Sequence, residues 1–387
     1  MSIIVLKDEY KITRTMLKNW YKLHRLRVFY RRKINKIYNK VVKQQTYSNV
    51  QLDINKYKKK WSTINKHVNP YWYKTYSYIS GIEDINYVPE DLFYGIIEPT
   101  LNNLSVAATY TDKNFYNKLY SDLNIFPETI FRNMEGVFYD SNYEYLDNIK
   151  YIEDYLEDEQ KVIVKPALES GGGRNVQIFY KKNDNYFNKS GKMLSINYLK
   201  NNYKKDFLIQ KCIEPANYFK QFNDTSLNTM RICTYRSVKT NEVFIINWNL
   251  KIGKKGSEMD NLSSGGICCL VDKNGKLSSF ATDVNGNKYF NLPWNPDLKF
   301  SEAENIPKFE EIKRFAKEIA KRNYYQRILG LDICIDNKDN IKLVEINNDE
   351  CGINMFQMLG TSLFNDYTDE VIEYCSDKTK RRTRNMR

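Results

Sequence analysis

Histidine is nearly absent from this chain of 387 residues, which contains only His24 and His67. Because no histidine follows residue 67, Ser-His-Asp and Cys-His catalysis and histidine-rich metal sites are excluded from the rest of the chain. A metal ion bound there would have to be held by oxygen ligands, which suit Mg²⁺ or Ca²⁺.

Cysteine motifs and long apolar runs are lacking as well. The seven cysteines are scattered and form no CxxC pair, so neither a disulfide framework nor a zinc ribbon is indicated. The sequence MSIIVLKDEYKITR has no apolar stretch of signal-peptide length, and no run of about 18 apolar residues occurs anywhere. We therefore predict a cytoplasmic protein without a membrane span.

A net positive charge is missing from the body of the chain, although the whole chain carries a net charge of +13. Residues 1–70 contain 18 Lys or Arg against 3 Asp or Glu, and residues 378–387 contain 6 basic residues and no acidic one. Residues 71–377 therefore carry a net charge of −8. A nucleic-acid-binding core would be basic, so this distribution argues against nucleic acid as a partner.

Residues 9–45 contain neither Gly nor Pro and are predicted to form a basic helical arm. Its apolar positions recur at helical spacing and are Ile12, Met16, Leu17, Trp20, Leu23, Val28, Ile34, Ile37 and Val41. Such a helix can dock on protein with its basic face in solvent, or it can lie on an anionic membrane surface. We predict a peripheral tether at the inner face of the membrane that is dispensable for chemistry, with docking as the alternative.

The rest of the chain mixes helical and β-rich segments, which predicts an α+β fold. An amphipathic helix is predicted between Thr111 and Pro127. From residue 161 onward, β-rich runs are divided by Gly, Asn and Asp turns; they are KVIVK, NVQIFY, DFLIQKC, TMRICTYRSV, VFIINWNLKI and GICCLVD. Further helices are predicted at 308–322 and near 362–376, with a hairpin at 331–347 between them.

The hairpin is predicted to place two carboxylates and an amide on one face of a sheet. If its turn centres between residues 338 and 339, Asp332 lies opposite Glu345, and Glu345 shares a face with Asn347. The buried side is predicted to consist of Leu331, Ile333, Ile335, Val344 and Ile346. A cation would relieve the repulsion between the carboxylates, so the pattern is typical of a magnesium–nucleotide site, with the plain polar face of a hairpin as the alternative.

A glycine loop follows a strand in the sequence VIVKPALESGGGRNVQIFY. Gly171, Gly172 and Gly173 allow backbone N–H groups to approach an anion, and Lys165 could add a positive charge. The loop lacks the GxxxxGK[ST] pattern of a Walker loop. Taken alone, it could also be an ordinary hairpin loop.

Two further segments combine polar side chains with a strand. The segment SLNTMRICTYR places Arg231 where it could neutralise charge on a transferred phosphoryl group or form a structural ion pair. The segment MDNLSSGGICCLVD is a polar glycine loop that leads into a strand and could position a substrate or turn the chain.

In their order along the chain, these motifs resemble the ATP-grasp superfamily. The order is TDK, a strand lysine with a glycine loop, a strand ending in QKCIEP, NTMR, DN-x3-GG, GLD and VEIN. The chain looks most similar to the sugar-transfer-associated ATP-grasp proteins found with cell-surface polysaccharide genes, over roughly residues 105–360. The resemblance implies an ATP-grasp fold, in which two α+β lobes clasp ATP.

The resemblance also implies roles for individual residues. The expected nucleotide-binding residues are Lys113, Lys165, Gly171, Gly172, Gly173, Gln210, Ile213, Glu214 and Asn261. Arg231 and Lys251 are the expected catalytic residues, where Lys251 in WNLKIG stands at a position at which relatives often carry Arg. Asp332, Glu345 and Asn347 are the expected ligands of Mg²⁺.

The resemblance further implies a division of the chain and a reaction. The predicted parts are a basic arm (1–70), a linker domain (71–155), a lid lobe (156–213), a catalytic lobe (214–377) and a basic tail (378–387). The implied enzyme is an ADP-forming ligase that uses ATP and Mg²⁺ to join a carboxylate to an amine through an acyl phosphate.

Substrate identity and two other functions stay open at this point. The implied amide joins an amino acid to a sugar acid or amino sugar in polysaccharide biosynthesis, and this rests on family analogy alone. A kinase of the same fold would phosphorylate a sugar or polyol hydroxyl instead. A non-catalytic, membrane-associated scaffold could also keep the fold.

Overall fold

The computed structural model describes residues 21, 23–41, 50–147, 156, 159–168 and 173–384, with side chains up to residue 378. Its α-helices are 23–41 (α1), Ile54–Ser62 (α2), Tyr71–Ser80 (α3), Glu90–Leu92 (α4), Glu98–Leu101 (α5), Ala107–Thr111 (α6), Tyr116–Leu119 (α7), Ile196–Asn202 (α8), Asn217–Lys220 (α9), Phe309–Arg322 (α10), Asn354–Gln357 (α11) and Thr368–Arg384 (α12). A π-helical turn, Phe93–Ile97, joins α4 to α5. Turns of 3-10 helix lie at Leu104–Val106, Leu262–Ser264, Phe300–Glu302 and Asn365–Tyr367.

The strands pair antiparallel throughout the described residues. They are Thr129–Met134 (β1), Val137–Asp140 (β2), Lys161–Pro166 (β3), Gln177–Lys182 (β4), Asn185–Phe187 (β5), Phe207–Lys211 (β6), Met230–Arg236 (β7), Val243–Ile252 (β8), Ile267–Val271 (β9), Leu277–Thr282 (β10), Lys288–Tyr289 (β11), Asn291–Leu292 (β12), Asn295–Lys299 (β13), Ile328–Ile335 (β14) and Ile341–Asn347 (β15). Helices and antiparallel sheets together confirm the predicted α+β class.

Six strands form the first large sheet, in the order β2-β1-β6-β3-β4-β5. Its core contains Val162 and Val164, which alternate with outward-facing residues of β3, together with Phe179 of β4 and Ile209 of β6. Because β1 and β2 belong to this sheet, the domain boundary predicted at residue 155 runs through a set of paired strands.

Seven strands form the second large sheet, in the order β11-β10-β9-β8-β7-β14-β15. One face packs on α10, whose buried side chains recur at helical spacing and are Ile312, Ala316, Ile319 and Ala320. The other face packs on the N-terminal helices and on α12. The side chains of β7 point alternately to these two faces. Met230 and Ile232 lie in the first core, on the side of α10, and Cys233 and Tyr235 lie in the second core, on the side of the N-terminal helices and α12.

The described part of the basic arm packs on the body of the protein. Ile34 and Val41 of α1 are buried in the second core of the seven-stranded sheet. Arg31 and Lys33 form ion pairs of 2.8 and 3.1 Å with two fully buried acids, Asp91 and Glu90. These contacts are those of a docked helix. Residues 1–20 lie outside the described residues, and with them Ile12, Met16, Leu17 and Trp20.

In the described parts of the chain, no helix is both long and apolar enough to cross a bilayer.

The helix predicted between Thr111 and Pro127 is wrong in its extent. Thr111 ends α6, and only the single turn of α7 follows. The reason is local, because Asp112 Oδ1 accepts a hydrogen bond from Asn114 N at 2.9 Å, which turns the chain. Lys113 N then donates to Ala167 O at 2.9 Å, so this turn attaches Lys113 to the end of β3.

Candidate functional site

The polar centre of the molecule is a row of side chains across four neighbouring strands. Glu345 of β15 pairs with Asp332 of β14, which pairs with Arg231 of β7, which pairs with Asn249 of β8. Opposed residues on neighbouring strands place their side chains on one face of the sheet. The predicted position of Asp332 opposite Glu345 is therefore confirmed, and the register adds Arg231 beside them.

A β-bulge corrects the prediction for Val344. The pairing shifts by one residue after Asp332, so that Ile333 lies opposite Leu343 and Val344 is the extra residue. Leu343 therefore takes the buried position, and Val344 faces the cavity rather than the core.

Asp332 is held by two cations inside the protein. Its oxygens accept hydrogen bonds from Arg231 Nε at 2.6 Å, from a terminal guanidinium nitrogen of Arg231 at 3.0 Å and from Lys251 Nζ at 3.1 Å. Burial alone would raise the pKa of Asp332, but these two cations lower it to about 2. Asp332 therefore stays ionised and fixes both catalytic candidates in place.

A second pair of cations lies near Glu345. Lys113 Nζ contacts Glu345 Oε1 at 2.8 Å, and Lys165 lies beside them at the end of β3. Burial would raise the pKa of Glu345, but Lys113 lowers it overall. Burial and the positive charge of Lys113 lower the pKa of Lys165 to about 7. An anion with several negative charges would be stabilised between these two lysines.

The predicted magnesium ligands offer a small set of oxygens. Asn347 donates from Nδ2 to Gly330 O at 3.2 Å, which fixes the amide and leaves its oxygen as the atom that can bind a cation. Within the described residues, no three His, Cys, Asp or Glu side chains group in a way that could hold a metal ion. This donor set suits Mg²⁺, which takes one or two carboxylates and completes its shell with water and phosphate oxygens.

A cavity of about 650 Å³ lies between the two large sheets, and both contribute to its wall. Every predicted site residue that the structure describes lines this cavity. They are Lys113, Lys165, Gly173, Gln210, Ile213, Glu214, Arg231, Lys251, Asn261, Asp332, Glu345 and Asn347. Gly171 and Gly172 lie outside the described residues.

One end of the cavity is lined by Ile163 and Ile178 and by the buried amide of Gln210, which pairs with Ile163 across the strands. Gln210 donates from Nε2 to Pro127 O at 3.1 Å and to Thr129 Oγ1 at 3.0 Å. Its Oε1 is buried and has no hydrogen-bond partner among the described residues. Glu214, further along, forms an ion pair with Lys161. This end could accept a flat, mostly apolar group that donates a hydrogen bond to Gln210.

Gly173 lies against Asn261 where the two lobes meet over the cavity. The φ angle of Gly173 is +69°, and a Cβ atom there would lie 2.2 Å from Asn261 Nδ2. The backbone conformation therefore favours glycine, and a larger residue would also displace the amide group of Asn261.

Sequence reasoning missed Asp260 and the turn at residues 349–352. Asp260 Oδ2 accepts from Thr229 N at 2.5 Å and from Thr229 Oγ1 at 2.6 Å, and Oδ1 lies 3.4 Å from Lys251 Nζ. The DN-x3-GG motif contained the signal for Asp260. The turn 349–352, DECG, begins one residue after the VEIN motif and also lines the cavity.

Comparison with known proteins gives one family and a set of solved structures. The family model described as sugar-transfer associated ATP-grasp matches residues 96–371. No curated protein sequence matches the chain.

Among the solved structures, the ATP-grasp ligase PsnB complexed with precursor peptide PsnA2 and AMPPNP is 12% identical, with a TM-score of 0.40 over 71% of this chain and 62% of that one. The D-alanyl-alanine synthetase A from Vibrio cholerae is 14% identical, with a TM-score of 0.38 over 70% of this chain and 66% of that one. The D-cycloserine synthetase DcsG is 10% identical, with a TM-score of 0.36 over 71% of this chain and 72% of that one. The chain thus spans less than two thirds of the length of PsnB, and at these scores the likeness carries no argument about chemistry.

Proposed function

The chain belongs to the sugar-transfer associated ATP-grasp family, and from this premise we propose that it is an ADP-forming carboxylate–amine ligase. Membership confirms the predicted family and the predicted ATP-grasp fold. ATP and Mg²⁺, which the sequence predicts, are the cofactors of an ATP-grasp enzyme. The roles of individual residues, the reaction and the substrates are proposals.

The observation that carries the proposal is the gathering of four cations around one cavity. Lys113, Lys165, Arg231 and Lys251 come from four separate segments, and all four side chains are largely buried. Buried cations are costly unless anions compensate them. Asp332 compensates two of them, and Glu345 pairs with Lys113, which leaves the neighbourhood of Lys165 suited to the phosphates of a nucleotide.

The end of the cavity at Gln210 would hold the adenine. The exocyclic amino group of the base can donate to Gln210 Oε1, a buried acceptor in the cavity wall that lacks a partner among the described residues. Backbone groups near Ile213 would read the edge of the base, and Glu214 would lie near the ribose. Gly173 of the lid lobe and Asn261 of the catalytic lobe would cover the phosphates.

Mg²⁺ would be held by Glu345 and Asn347, with Asp332 beside them. When bound, it neutralises phosphate charge and orients the γ-phosphate. Asp332 already has its oxygens engaged by Arg231 and Lys251, so its first contribution is to fix those two cations. Asn347 contributes through the amide oxygen that its hydrogen bond to Gly330 leaves available.

In the first step, a substrate carboxylate oxygen would attack the γ-phosphorus, and the bond to the β-phosphate oxygen would break to release ADP. In the second step, an amine would attack the carbonyl carbon of the acyl phosphate, lose a proton and release phosphate as the amide forms. Arg231 and Lys251 would offset the negative charge that builds up on the transferred phosphoryl group. Neither step needs a histidine.

The substrates that we propose are a sugar acid or amino sugar and an amino acid, joined during the biosynthesis or modification of a cell-surface polysaccharide. The name of the family, with its association with sugar transfer, supports this choice. A kinase that acts on a sugar hydroxyl would use the same nucleotide site and is the alternative outcome of the test.

We also propose that the outer face of α1 contacts an anionic membrane surface at the cytoplasmic side. Arg25, Arg32 and Lys36 are exposed on α1, and Phe29 between them is 60% exposed. The inner face of the same helix is used for docking on the body. A helix that docks by one face can still present a basic and aromatic face to lipid headgroups.

The test is a screen for ADP release across uronic acids, amino sugars and amino acids, singly and in pairs. A ligase sustains ADP release over many turnovers only when a carboxylate and an amine are both present. ADP release with an alcohol alone would establish the kinase instead. If ATP binds but no combination releases ADP, the ligase proposal is wrong and a scaffold is supported.

A further inference from the structure

The turn 349–352 closes the cavity next to Asn347 and has a demanding backbone. Asp349, Glu350 and Gly352 line the cavity. The φ angles of Glu350 and Gly352 are +54° and +69°, in the left-handed region. A glutamate rarely adopts this conformation, so contacts from the surrounding structure must hold it.

Two side chains from one helical segment provide those contacts. Glu98 Oε2 accepts a hydrogen bond from Glu350 N at 3.1 Å, and Glu98 Oε1 accepts one from Cys351 N at 3.1 Å. The hydroxyl of Tyr94 accepts one from Ile353 N at 3.3 Å. Two N–H groups of the turn, and the N–H group of Ile353 directly after it, are therefore bound by residues that lie about 250 positions earlier in the chain.

The segment that carries these side chains has an irregular helical backbone. Phe93–Ile97 is a π-helical turn, and Pro99 at the start of α5 has no N–H to donate to the preceding turn. Single π-helical turns recur at functional sites, because the additional residue redirects the side chains around it. Here Glu98 binds the turn 349–352, and Tyr94 binds Ile353 directly after it.

The same turn contacts the proposed catalytic arginine. The carbonyl oxygen of Cys351 accepts a hydrogen bond from Arg231 at 3.0 Å, on the guanidinium nitrogen that Asp332 does not bind. Glu98 thus binds the N–H of Cys351, while Arg231 binds its carbonyl group. The guanidinium plane is fixed on one side by Asp332 and on the other by a residue that Glu98 holds.

Glu98 itself is 1% exposed, and its only described hydrogen-bond donors come from the turn. Burial raises the pKa of its carboxyl group to about 8, although the backbone donors act in the opposite direction. A buried carboxyl group is costly unless its hydrogen bonds are made.

We propose that Glu98 is a positioning residue for the ligase: it clamps the turn 349–352, so that the Cys351 carbonyl group orients Arg231 toward the cavity. This rests on the proposed function, because it uses the role of Arg231 in phosphoryl transfer. Loss of the clamp would lower kcat by roughly 10- to 100-fold, because a misplaced Arg231 guanidinium group stabilises the transition state less well. The KM for ATP would change little.

The test uses Glu98→Leu, which removes both acceptors, and Glu98→Gln, which keeps one. The control is Glu90→Gln, since Glu90 is also fully buried nearby but binds Tyr76 and Lys33 and not the turn. The readouts are kcat, KM and the NMR signal of the Arg231 Nε–H group, assigned with Arg231→Ala. The signal should shift strongly in Glu98→Leu, less in Glu98→Gln and not in Glu90→Gln, and kcat should follow that order.

An unshifted Arg231 signal with wild-type kcat in folded Glu98→Gln and Glu98→Leu would overturn the proposal. If Glu98→Leu does not fold, Glu98→Gln decides: a shifted signal with lower kcat supports the clamp, and wild-type values of both overturn it. The NMR signal needs no turnover. A shifted signal in a protein that releases no ADP with any carboxylate–amine pair would support the clamp and refute the ligase.

Discussion

The two large sheets contribute to the cavity in different ways. The six-stranded sheet presents two isoleucines, Ile163 and Ile178, beside separate polar side chains, which are Lys161, Lys165, Gln210 and Lys211. The seven-stranded sheet presents a row of paired charges that runs from Arg231 through Asp332 to Glu345. The loss of one apolar side chain weakens the contact with a base only slightly, whereas the loss of one member of a buried charge network leaves its partner charge uncompensated. Substitutions in the seven-stranded sheet should therefore lower turnover and nucleotide binding more than substitutions in the six-stranded sheet.

The largest effect is expected for Arg231→Ala in the seven-stranded sheet. Turnover should fall by roughly 100- to 1,000-fold, because a fixed donor to the transferred phosphoryl group is lost, while ATP affinity changes much less. Steady-state kinetics and ATP binding by calorimetry measure the two quantities. Arg236→Ala is the control on the same strand, since Arg236 binds the carbonyl oxygens of Ala320 and Lys321 away from the cavity. An equal loss in both variants would contradict the assigned role.

A smaller effect is expected for Glu345→Gln. The gain in ADP affinity that Mg²⁺ provides should drop by roughly 10- to 100-fold, because the neutral amide is a poorer ligand and no longer pairs with Lys113. Titration calorimetry with and without Mg²⁺ measures it, and Glu318→Gln on the exposed side of α10 serves as the control. If Mg²⁺ increases the ADP affinity of Glu345→Gln as much as that of the wild-type protein, Glu345 is not a ligand of the metal ion.

Lys165 allows a pH test of the six-stranded sheet. Its pKa in the free protein is lowered to about 7, and nearby phosphates should raise it. At a pH between the pKa of Lys165 in the free protein and its pKa in the complex, ADP binding takes up a proton. ADP affinity should therefore fall as the pH rises above 7, by up to about tenfold per pH unit. Calorimetry at pH 8 in two buffers of different ionisation enthalpy measures the uptake. Lys165→Met should abolish it, and wild-type protein without proton uptake would show that Lys165 does not contact the phosphates.

Gln210→Leu should have a mild effect on nucleotide binding. Loss of one hydrogen bond to the base weakens ATP binding by roughly 3- to 10-fold, since an intramolecular hydrogen bond contributes about 0.5–1.5 kcal/mol net. The preference for ATP over GTP should shrink in parallel, and competition binding measures both. An unchanged preference would place the adenine elsewhere.

The outer face of α1 belongs to neither sheet, and its substitution should leave turnover unchanged. Replacing Arg25, Arg32 and Lys36 by Glu should instead abolish salt-sensitive binding to vesicles that contain anionic lipid, because each cation contributes about 1 kcal/mol near such a surface. Co-sedimentation of full-length protein measures this. If the wild-type protein does not co-sediment with anionic vesicles, the membrane proposal is wrong and α1 serves only to dock on the body of the protein.

Local patterns were sufficient to predict most strands and the centre of the site. The strand β8 matches the predicted run VFIINWNLKI, and α10 begins one residue after the predicted start. The pairing of Asp332 with Glu345 agrees with the prediction, but it arises from the bulge at Val344, because the register next to the turn, with Ile335 opposite Ile341, would place Asp332 opposite Val344.

Long-range contacts explain what could not be predicted. The position of Val344 depends on a bulge, and the end of the helix at Thr111 depends on an Asx turn tied to β3. The contact of Glu98 with Cys351 joins residues 253 positions apart, and no local pattern indicates it. Positioning contacts of this kind become visible only when the fold brings both segments together.

The proposed acyl phosphate is tested most directly by the fate of the substrate's carboxylate oxygen. A carboxylate labelled with ¹⁸O should be supplied with ATP and the amine, and the released phosphate examined by ³¹P NMR. If the carboxylate attacks the γ-phosphate, one labelled oxygen appears in inorganic phosphate, with ADP as the other product. Label in AMP, or phosphate that carries no label, would contradict the proposed ligase mechanism.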